Sequence, residues 1–460
     1  RRRLKRRSMA ACTPRPSDRA RRPRLLTGLV ALALVAACSK DAPLPGERIP
    51  VRPEAPGVAA GPRAIPIALP PVSVNADWSH RNGAAQGRPS HPALAAVPQL
   101  RWSTGIGEGD AKRRRILAGP VVAGGLVFAI DAAGRISAVN RAGQVVWTQS
   151  LVPAGQTPDG GPGGGMAVSG GVLYVTTGFG DVLAMNPATG GVLWRQTLEA
   201  PIRSAPTVHD GKVIVVLRND FAYALNAANG GIEWGLQGIG GTGLLGGASA
   251  AAEGQLVVVP FASGEVLGVL ARSGLQVWGS AVTGGRRNLA RNQINDISGD
   301  PIIAGDAVFA SNQSGRTIRL DRDTGERLWT MPEGAYGPAW PVGGSIFLLS
   351  DAGALVRADA ATGEVLWEIQ LPEFLPVRRT PLSWLGRAGP PSTAVTYYGP
   401  ILAGGRLWVA SGDGLLRGFS PSDGSLLAEI PLPGGAAAPP AVAGGVMYVV
   451  SREGQLLAFQ

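Results

Sequence analysis

Short runs of apolar, strand-forming residues recur from about residue 100 to the end of the chain, and turn residues separate them. In the first repeat these runs cover residues 120–123, 126–130, 135–139 and 144–148, with partial alternation of apolar and polar positions. Alternation with a period of two over a few residues is typical of β-strands. We find no sustained 3.6-residue periodicity in this region, so the pattern predicts an all-β fold.

A nine-residue motif, Asp359-Ala-Ala-Thr-Gly-Glu-Val-Leu-Trp367, marks the same point of successive repeats. Near copies span residues 186–194, 226–234 and 321–329, and weaker copies span 140–147, 270–278 and 420–428. The leading Asp or Asn can bind the backbone two residues on, and Gly supplies the positive φ with which the chain reverses. The motif therefore predicts a hairpin corner. Its Trp is too large for one repeat to bury alone, so neighbouring repeats must stack.

The spacing of the last motif position predicts the architecture. Successive positions are 38 to 61 residues apart, which accommodates about four short strands, the size of a propeller blade. The last repeat has only three strand runs, and the run that starts at Leu100 supplies a fourth. Pairing of the run at Leu100 with the last repeat would close an eight-bladed β-propeller over residues 76–460 and leave no terminal sheet open. The alternative is a seven-bladed propeller, with one repeat misread. The tryptophans predicted to pack between blades are Trp102, Trp147, Trp194, Trp234, Trp278, Trp329 and Trp367, with Ala428 at the eighth position.

Residues 1–37 have the pattern of a secretory signal peptide. Eleven Lys and Arg residues and one acid precede an apolar run at residues 25–36, which is shorter than the ~20 residues of a membrane-spanning helix. The sequence Val35-Ala-Ala-Cys38 resembles the lipobox of bacterial lipoproteins, which implies that Cys38 is acylated after cleavage before it; an ordinary signal with a chance Cys is the alternative. By the same resemblance, Ser39 implies sorting to the outer membrane. The chain does not begin with Met, and Met9 is an alternative start.

Removal of the signal peptide changes the charge of the chain. The full sequence has 43 Lys and Arg against 32 Asp and Glu, a net charge of +11, and the segment removed carries 11 of the bases and one of the acids, which leaves +1. A nearly neutral chain argues against nucleic-acid binding, which requires a basic face. Residues 38–75 would then be the lipidated Cys and a disordered, proline-rich tether.

Candidate chemistry is sparse in the repeats. The three His residues are scattered, no phosphate-binding Gly-rich loop with its Lys is present, and no pair of carboxylates stands out. We therefore predict that the protein is not an enzyme and needs no cofactor or metal. Three loops are longer than blade turns require, at 153–165, 283–298 and 371–397, and the third carries Phe374. Long loops on a rigid scaffold often bind partners, although plain solvated surface is the alternative.

The repeated motif resembles the tryptophan-docking motif of quinoprotein propellers. This group includes dehydrogenases that depend on pyrroloquinoline quinone (PQQ) and the BamB lipoproteins of the outer-membrane β-barrel assembly (BAM) machinery. The lipobox, the tether with its Leu44-Pro-Gly-Glu-Arg48 stretch, and the lack of an adjacent Cys pair are similar to BamB. That resemblance implies a non-enzymatic scaffold at the periplasmic face of the outer membrane. Its partners would be the POTRA domains of BamA, other BAM subunits and nascent outer-membrane β-barrel proteins.

The resemblance also implies which residues contact a partner. A Leu-x-Leu-Arg segment of the family falls on Thr242-Gly-Leu244-Leu245, and an Asp-x-Asp segment falls on Asp296-Ile-Ser298. Leu244, Leu245, Arg291 and Asp296 are therefore expected to bind the partner. Arg286, Arg287 or Arg291, in the adjacent loop, would supply the positive charge lost at residue 245. Alternatively, Leu244 and Leu245 only begin a strand. Two rival functions stay open: a PQQ-dependent enzyme with Ca²⁺, and a lipoprotein that binds glycan or cell wall.

Overall fold

The computed structural model describes residues 64–87, 91–161, 163–240, 246–286, 295–375 and 394–460. These residues form 32 β-strands and one short 3-10 helix at Pro158–Gly160. The strands make eight four-stranded antiparallel sheets, which are the blades of a propeller. The predicted signal peptide, Cys38 and the first part of the tether lie outside the described residues.

Seven blades use four consecutive strands. The fourth strand lies at the rim, and in blades 1 and 2 it alternates between exposed and half-buried side chains. Blades 1 to 4 are β2 Val121–Ala123, β3 Leu126–Ile130, β4 Arg135–Asn140 and β5 Val145–Ser150; β6 Gly164–Ser169, β7 Val172–Thr177, β8 Asp181–Met185 and β9 Val192–Thr197; β10 Thr207–His209, β11 Lys212–Val216, β12 Phe221–Asn226 and β13 Ile232–Gln237; β14 Ala251–Glu253, β15 Leu256–Pro260, β16 Glu265–Leu270 and β17 Gln276–Ala281.

The second half of the ring repeats this order, and its last blade takes its fourth strand from the start of the described chain. Blades 5 to 8 are β18 Ile297–Ala304, β19 Ala307–Asn312, β20 Arg316–Asp321 and β21 Arg327–Met331; β22 Trp340–Val342, β23 Ser345–Leu349, β24 Ala354–Asp359 and β25 Val365–Gln370; β26 Tyr397–Ala403, β27 Arg406–Ser411, β28 Leu415–Phe419 and β29 Leu426–Pro431; β30 Ala441–Ala443, β31 Val446–Val450, β32 Gln455–Phe459 and β1 Leu100–Gly105.

The ring is closed as the sequence predicts. Strand β1 pairs antiparallel with β32, with Trp102 opposite Ala458 and Gly105 opposite Gln455. The innermost strands of blades 8 and 1, β30 and β2, also contact each other. The count of eight blades is therefore confirmed, and the alternative of seven is excluded. Because the first and last strands of the propeller share one sheet, neither strand leaves an open edge at the point of closure.

The repeat tryptophans join each blade to the next, as predicted. Six of the indoles donate a hydrogen bond of 2.9 to 3.1 Å from Nε1 to a carbonyl in the corner motif of the following blade. The leading Asp or Asn of the motif accepts the predicted bond from the amide two residues on, as Asn186 does from Ala188 at 2.9 Å. In each corner the motif Gly lies against the indole, and it has a φ between 70° and 84°. The Gly is required both for the turn and for the close approach of the Trp.

The missing eighth Trp follows from the closure. Each motif Trp packs on the turn between the third and fourth strands of the next blade, and Trp367 of blade 6 packs on Gly424 of blade 7 in this way. In blade 8 those two strands are β32 and β1, and no turn connects them. An indole at Ala428 of blade 7 would therefore have no corner to pack against. Blade 7 instead carries a fully buried indole, Trp408, on its second strand.

A segment that we call the strap, residues 64–87 and 91–95, runs along one face of the ring and contacts every blade. Its backbone or side chains hydrogen-bond to the short turns and first strands of successive blades. From blade 7 through blades 8 and 1 to blade 5, the bonded pairs are Ile65–Ser422, Asn75–Gly444, Trp78–Val122, Ser79–Val168, His80–Val208, Ala85–Ala252 and Gln86–Ile303.

The ordered contacts of the strap begin before the predicted boundary at residue 75. Arg357 of blade 6 is buried and donates to the carbonyls of Ile65, at 2.7 Å, and Pro66, at 3.2 Å. Its other bonds go to Ser345, at 2.9 Å, and to two carbonyls of the blade 7 corner. This guanidinium fixes residues 65–66 to the ring, so the predicted tether boundary is corrected towards the N-terminus.

Candidate functional site

The connections between blades all lie on one face of the ring. Each blade is an antiparallel meander of four strands, so its fourth strand ends on the face where the first strand of the next blade begins. We call this the loop face, and the opposite face, along which the strap runs, the strap face. The described ends of the three long loops, and of the connection between blades 3 and 4, therefore lie on the loop face.

Most of the predicted partner-binding residues lie outside the described part of the chain. This applies to Cys38, Leu244, Leu245 and Arg291. Ile239, five positions before Leu244 in the sequence, lies on the loop face with 80% of its surface exposed, the highest exposure among the large apolar residues that the structure describes. Single exposed apolar side chains are common on protein surfaces, so Ile239 is a candidate contact because of its place in the segment that precedes Leu244.

Asp296 is buried, and its position differs from the expectation for a residue that contacts a partner. Its carboxylate forms an ion pair of 2.5 Å with Arg203, and the two side chains are 1% and 0% exposed. Arg203 also donates to the carbonyl of Pro260 at 3.2 Å. In this structure the carboxylate of Asp296 is engaged by Arg203, and direct contact of Asp296 with a partner stays a prediction. The pair joins the connection before blade 5 to the connection before blade 3 and fixes the end of its loop.

Arg286 fixes the other described end of the same loop. It contacts Asp351 through Nε at 3.0 Å and Nη2 at 3.1 Å, and Nη2 also pairs with Glu333. Burial opposes the charge of Arg286, but the two carboxylates outweigh it and raise the pKa of the guanidinium. Burial raises the pKa of Glu333 as well, and Arg286 offsets this only in part. The described ends of the loop at residues 286 and 296 are thus both held by ion pairs.

One side of the central channel, towards blades 3 to 5, is filled by a polar network. Asp300 at the start of β18 accepts from Arg81 at 3.3 Å, from Asn82 at 2.5 Å and from the Ser249 amide at 2.7 Å. Arg81 also donates to the carbonyl of Gly247 at 2.9 Å. Since Arg81 and Asn82 belong to the strap, the network also ties the strap to the inner ends of blades 4 and 5.

Beside this network lies a cavity of about 810 Å³ that we call the cup. Blades 6, 7, 8 and 1 contribute most of its lining, and Arg81, Asn82, Gly246 and Arg286 line it on the side of the network. Strap residues close it at one end, and it opens on the loop face. Six aromatic side chains line it, and they are Trp78, Tyr336, Trp340, Phe374, Tyr397 and Tyr398. Tyr336 and Phe374 are each 51% exposed. Of these, the sequence analysis names only Phe374 as a candidate contact. The aromatic pair in Ala335-Tyr-Gly-Pro-Ala-Trp340, between two blades, is a signal for Tyr336 and Trp340, whereas Trp78, Tyr397 and Tyr398 have no comparable local signal.

The described residues contain no group of three or more His, Cys, Asp or Glu side chains that could hold a metal ion. Within that same part of the chain, no helix is long and apolar enough to cross a membrane.

Solved structures share this architecture. The crystal structure of BamB from Moraxella catarrhalis superposes with a TM-score of 0.65 at 18% identity and covers 79% of this chain and 100% of that chain. The quinohemoprotein alcohol dehydrogenase of Comamonas testosteroni gives a TM-score of 0.63 at 16% identity and covers 83% of this chain and 80% of that chain. At these identities the likeness establishes the fold alone.

The likeness to a quinoprotein raises the question of whether the channel residues suit a quinone. PQQ carries three carboxylates, which require unpaired cations in a buried site. The two arginines that line the cup are Arg81, paired with Asp300, and Arg286, paired with Asp351 and Glu333. The described residues therefore do not fit this cofactor.

The sequence comparisons identify the family. The chain is 27% identical over 244 residues to the outer membrane protein assembly factor BamB of Yersinia pestis, and 25% identical over 244 residues to that of Escherichia coli. Each alignment spans 52% of this chain and 62% of the relative's length. The family model described as outer membrane protein assembly factor BamB matches residues 132–369 and 383–460, more than half of the chain. The chain therefore belongs to the BamB family of outer membrane protein assembly factors.

Proposed function

We propose that this protein is a non-enzymatic scaffold lipoprotein of the BAM complex. In this role it binds the POTRA domains of BamA and assists the assembly and insertion of β-barrel proteins into the outer membrane. The observation that carries the proposal is the match of the repeat region to the BamB family. The loop face supports it, because both described ends of the connection before blade 5 are fixed by ion pairs, while Ile239 is exposed in the connection before blade 4 on the same face.

The charged groups of the channel also favour a scaffold. Arg81 with Asp300, Arg203 with Asp296, and Arg286 with Asp351 neutralise one another at distances of 2.5 to 3.3 Å. General acid–base catalysis needs a group whose proton is available to a substrate. Groups that are paired in this way hold loops and strap in place instead, which is what a binding surface requires.

The anchor is proposed to be a lipidated Cys38 on the periplasmic side of the outer membrane. The first described residue with a hydrogen bond to the ring, Ile65, follows Cys38 by 27 positions. A chain of that length reaches at most about 90 Å. The propeller can therefore bind a periplasmic domain at some distance from the membrane.

The test is co-purification of BAM subunits with the lipidated, full-length protein from solubilised membranes. The variant Ile239→Glu with Leu244→Glu places two charges at the proposed contact, and we expect it to lose at least about nine-tenths of the co-purifying BamA, since a charge in an apolar contact costs well over 1 kcal/mol. A matched control is Leu427→Glu on β29, where an apolar side chain is 48% exposed at the rim.

Equal recovery of BamA with both variants would remove this part of the loop face from the interface. Recovery of glycan or cell-wall material in place of BAM subunits, already with the unaltered protein, would contradict the proposed function itself. Asp296 is unsuitable for such a test, because removal of the carboxylate would leave Arg203 buried without its counter-ion and would disturb the fold.

A further inference from the structure

The cup is built unlike the rest of the channel. On the side of blades 3 to 5 the channel is occupied by the network around Asp300, whereas on the side of blades 6, 7, 8 and 1 it is open to the loop face. Trp78, 1% exposed, and Asn82 of the strap lie at the closed end. A cavity with one closed end and one opening can take side chains or a small molecule but cannot pass a chain through. Its volume of about 810 Å³ is within the ~300–1,000 Å³ of ligand sites.

The lining of the cup is mostly apolar and favours apolar groups. Its two arginines are already engaged by carboxylates, so an anion would have to break an ion pair to bind, and the other charged side chains of the lining, Asp351 and Glu373, are acids. Trp340 and Leu371 are buried in the wall, and Ala437 with two prolines of the connection before blade 8 continues the apolar surface. Apolar surface of this kind gains about 25 cal/mol for each Å² that a ligand removes from water.

Two aromatic side chains stand at the opening without being covered. Tyr336 precedes blade 6 and Phe374 follows it, and each has 51% of its surface exposed. Phe374 is held by a bridge to Ala394 on the far side of the connection to blade 7. Half-exposed aromatic rings on fixed backbone are the side chains that most often become the central contacts of an interface.

We propose that the cup binds aromatic and aliphatic side chains of an extended, unfolded β-barrel polypeptide. This inference rests on the proposed function, which makes such polypeptides the clients. Strands of membrane β-barrels carry apolar side chains at every second residue with polar ones between them and few charges on the apolar face. Such a strand can place two or three apolar side chains in the cup while its polar side chains and backbone remain at the opening on the loop face.

Peptide binding to the purified protein tests the proposal. The probe is a fluorescein-labelled 12-residue peptide in which Phe, Tyr and Leu alternate with Ser, Thr and Asn, and the comparison peptide has Gln in place of each apolar residue. We expect saturable binding of the first peptide only. Tyr336→Asp and Phe374→Asp should each weaken that binding by at least about tenfold, as expected for a central aromatic contact. Since both side chains are half exposed, neither change should alter the melting temperature by more than a few degrees.

Leu427→Asp on β29 is the matched control, because it places the same charge on a half-exposed apolar side chain at the rim, outside the cup lining. Equal weakening by all three variants, or no weakening by the two cup variants, would overturn the proposal. Binding of a small uncharged apolar dye such as N-phenyl-1-naphthylamine that Tyr336→Asp and Phe374→Asp abolish but that the peptide does not displace would also overturn it and leave the cup as a small-molecule site. Co-purification of BamA separates the two proposals: if it fails while the peptide binds, the proposed function is wrong and the cup remains an apolar peptide site.

Discussion

Alanine in place of Gly230 tests whether the repeat tryptophans hold the ring together. Gly230 has a φ of 76°, and a Cβ at this position would lie 2.7 Å from Cε3 of Trp194 in the preceding blade. A left-handed backbone costs about 1–2 kcal/mol in a residue that has a Cβ, and displacement of a packed side chain adds about 1–3 kcal/mol. We therefore expect Gly230→Ala to lower the free energy of unfolding by about 2–5 kcal/mol.

Gly211 in the same blade provides the matched control. Its φ is 70°, and a Cβ there would meet no atom within 4 Å. Gly211→Ala should therefore cost only the backbone contribution of about 1–2 kcal/mol. The difference between the two variants isolates the contact between the corner of blade 3 and the indole of Trp194.

The measurement is urea unfolding followed by far-UV circular dichroism, with melting temperatures as a second readout. For a chain of this length each kcal/mol shifts the melting temperature by about 1–2 °C, because unfolding entropy is about 2.1 cal/mol/K per residue. In a Trp194→Leu background the extra cost of Gly230→Ala should disappear, since the clashing ring is gone. Equal losses for Gly230→Ala and Gly211→Ala in the unaltered protein would refute the docking argument.

Two further predictions concern the strap. Burial lowers the pKa of His80 to about 4 in the folded protein, whereas a His in the unfolded chain has a pKa near 6.5. Below about pH 6.5 the unfolded chain therefore binds a proton that the folded protein does not. The free energy of unfolding keeps the full contribution of neutral His80 above about pH 6.5 and falls by about 3 kcal/mol as the pH is lowered to 4. His80→Gln should flatten that part of the stability profile in urea titrations, with His209→Gln as the control, and an unchanged slope would contradict the assignment. Arg357→Met should lower the free energy of unfolding by about 2–4 kcal/mol, because it leaves buried carbonyls unsatisfied, and it should speed limited proteolysis near Ile65. The control is Arg319→Met at the equivalent position of blade 5, where the partner Asp306 is 84% exposed. It should change neither the stability nor the rate of proteolysis.

The blade count could be predicted from the sequence because its signals are local and repeated. Each corner motif places an Asx turn, a Gly with positive φ and a Trp within nine residues, and every unit makes the same contacts with its neighbour. Closure could be predicted as well, since three strand runs at one end and one at the other complete a single blade. The absence of a Trp at residue 428 is a consequence of the same closure, although the motif alone gives no reason for it.

The strap could not be predicted in this way. Its proline content and lack of aromatic residues before Trp78 suggest a chain that cannot fold alone, and that inference is sound for an isolated segment. The strap is ordered because the finished ring presents groups that bind its backbone, above all Arg357 with its donors to Ile65 and Pro66. A single Arg in a strand gives no local indication that it will bind a segment 291 positions away.

In the site, Asp296 shows most clearly that the local sequence does not reveal contacts between distant segments. A family motif placed this residue in a loop between blades, which is correct, and loops between blades are usually exposed. Its partner Arg203 lies 93 residues earlier, in another connection, and only the curvature of the closed ring brings the two side chains together near the axis. Tyr336 and Phe374 meet at the cup for the same reason, from opposite ends of blade 6. Repeat spacing therefore tells which residues connect blades, but the radius of the ring decides which of them point inward to hold the loops and which remain free to bind.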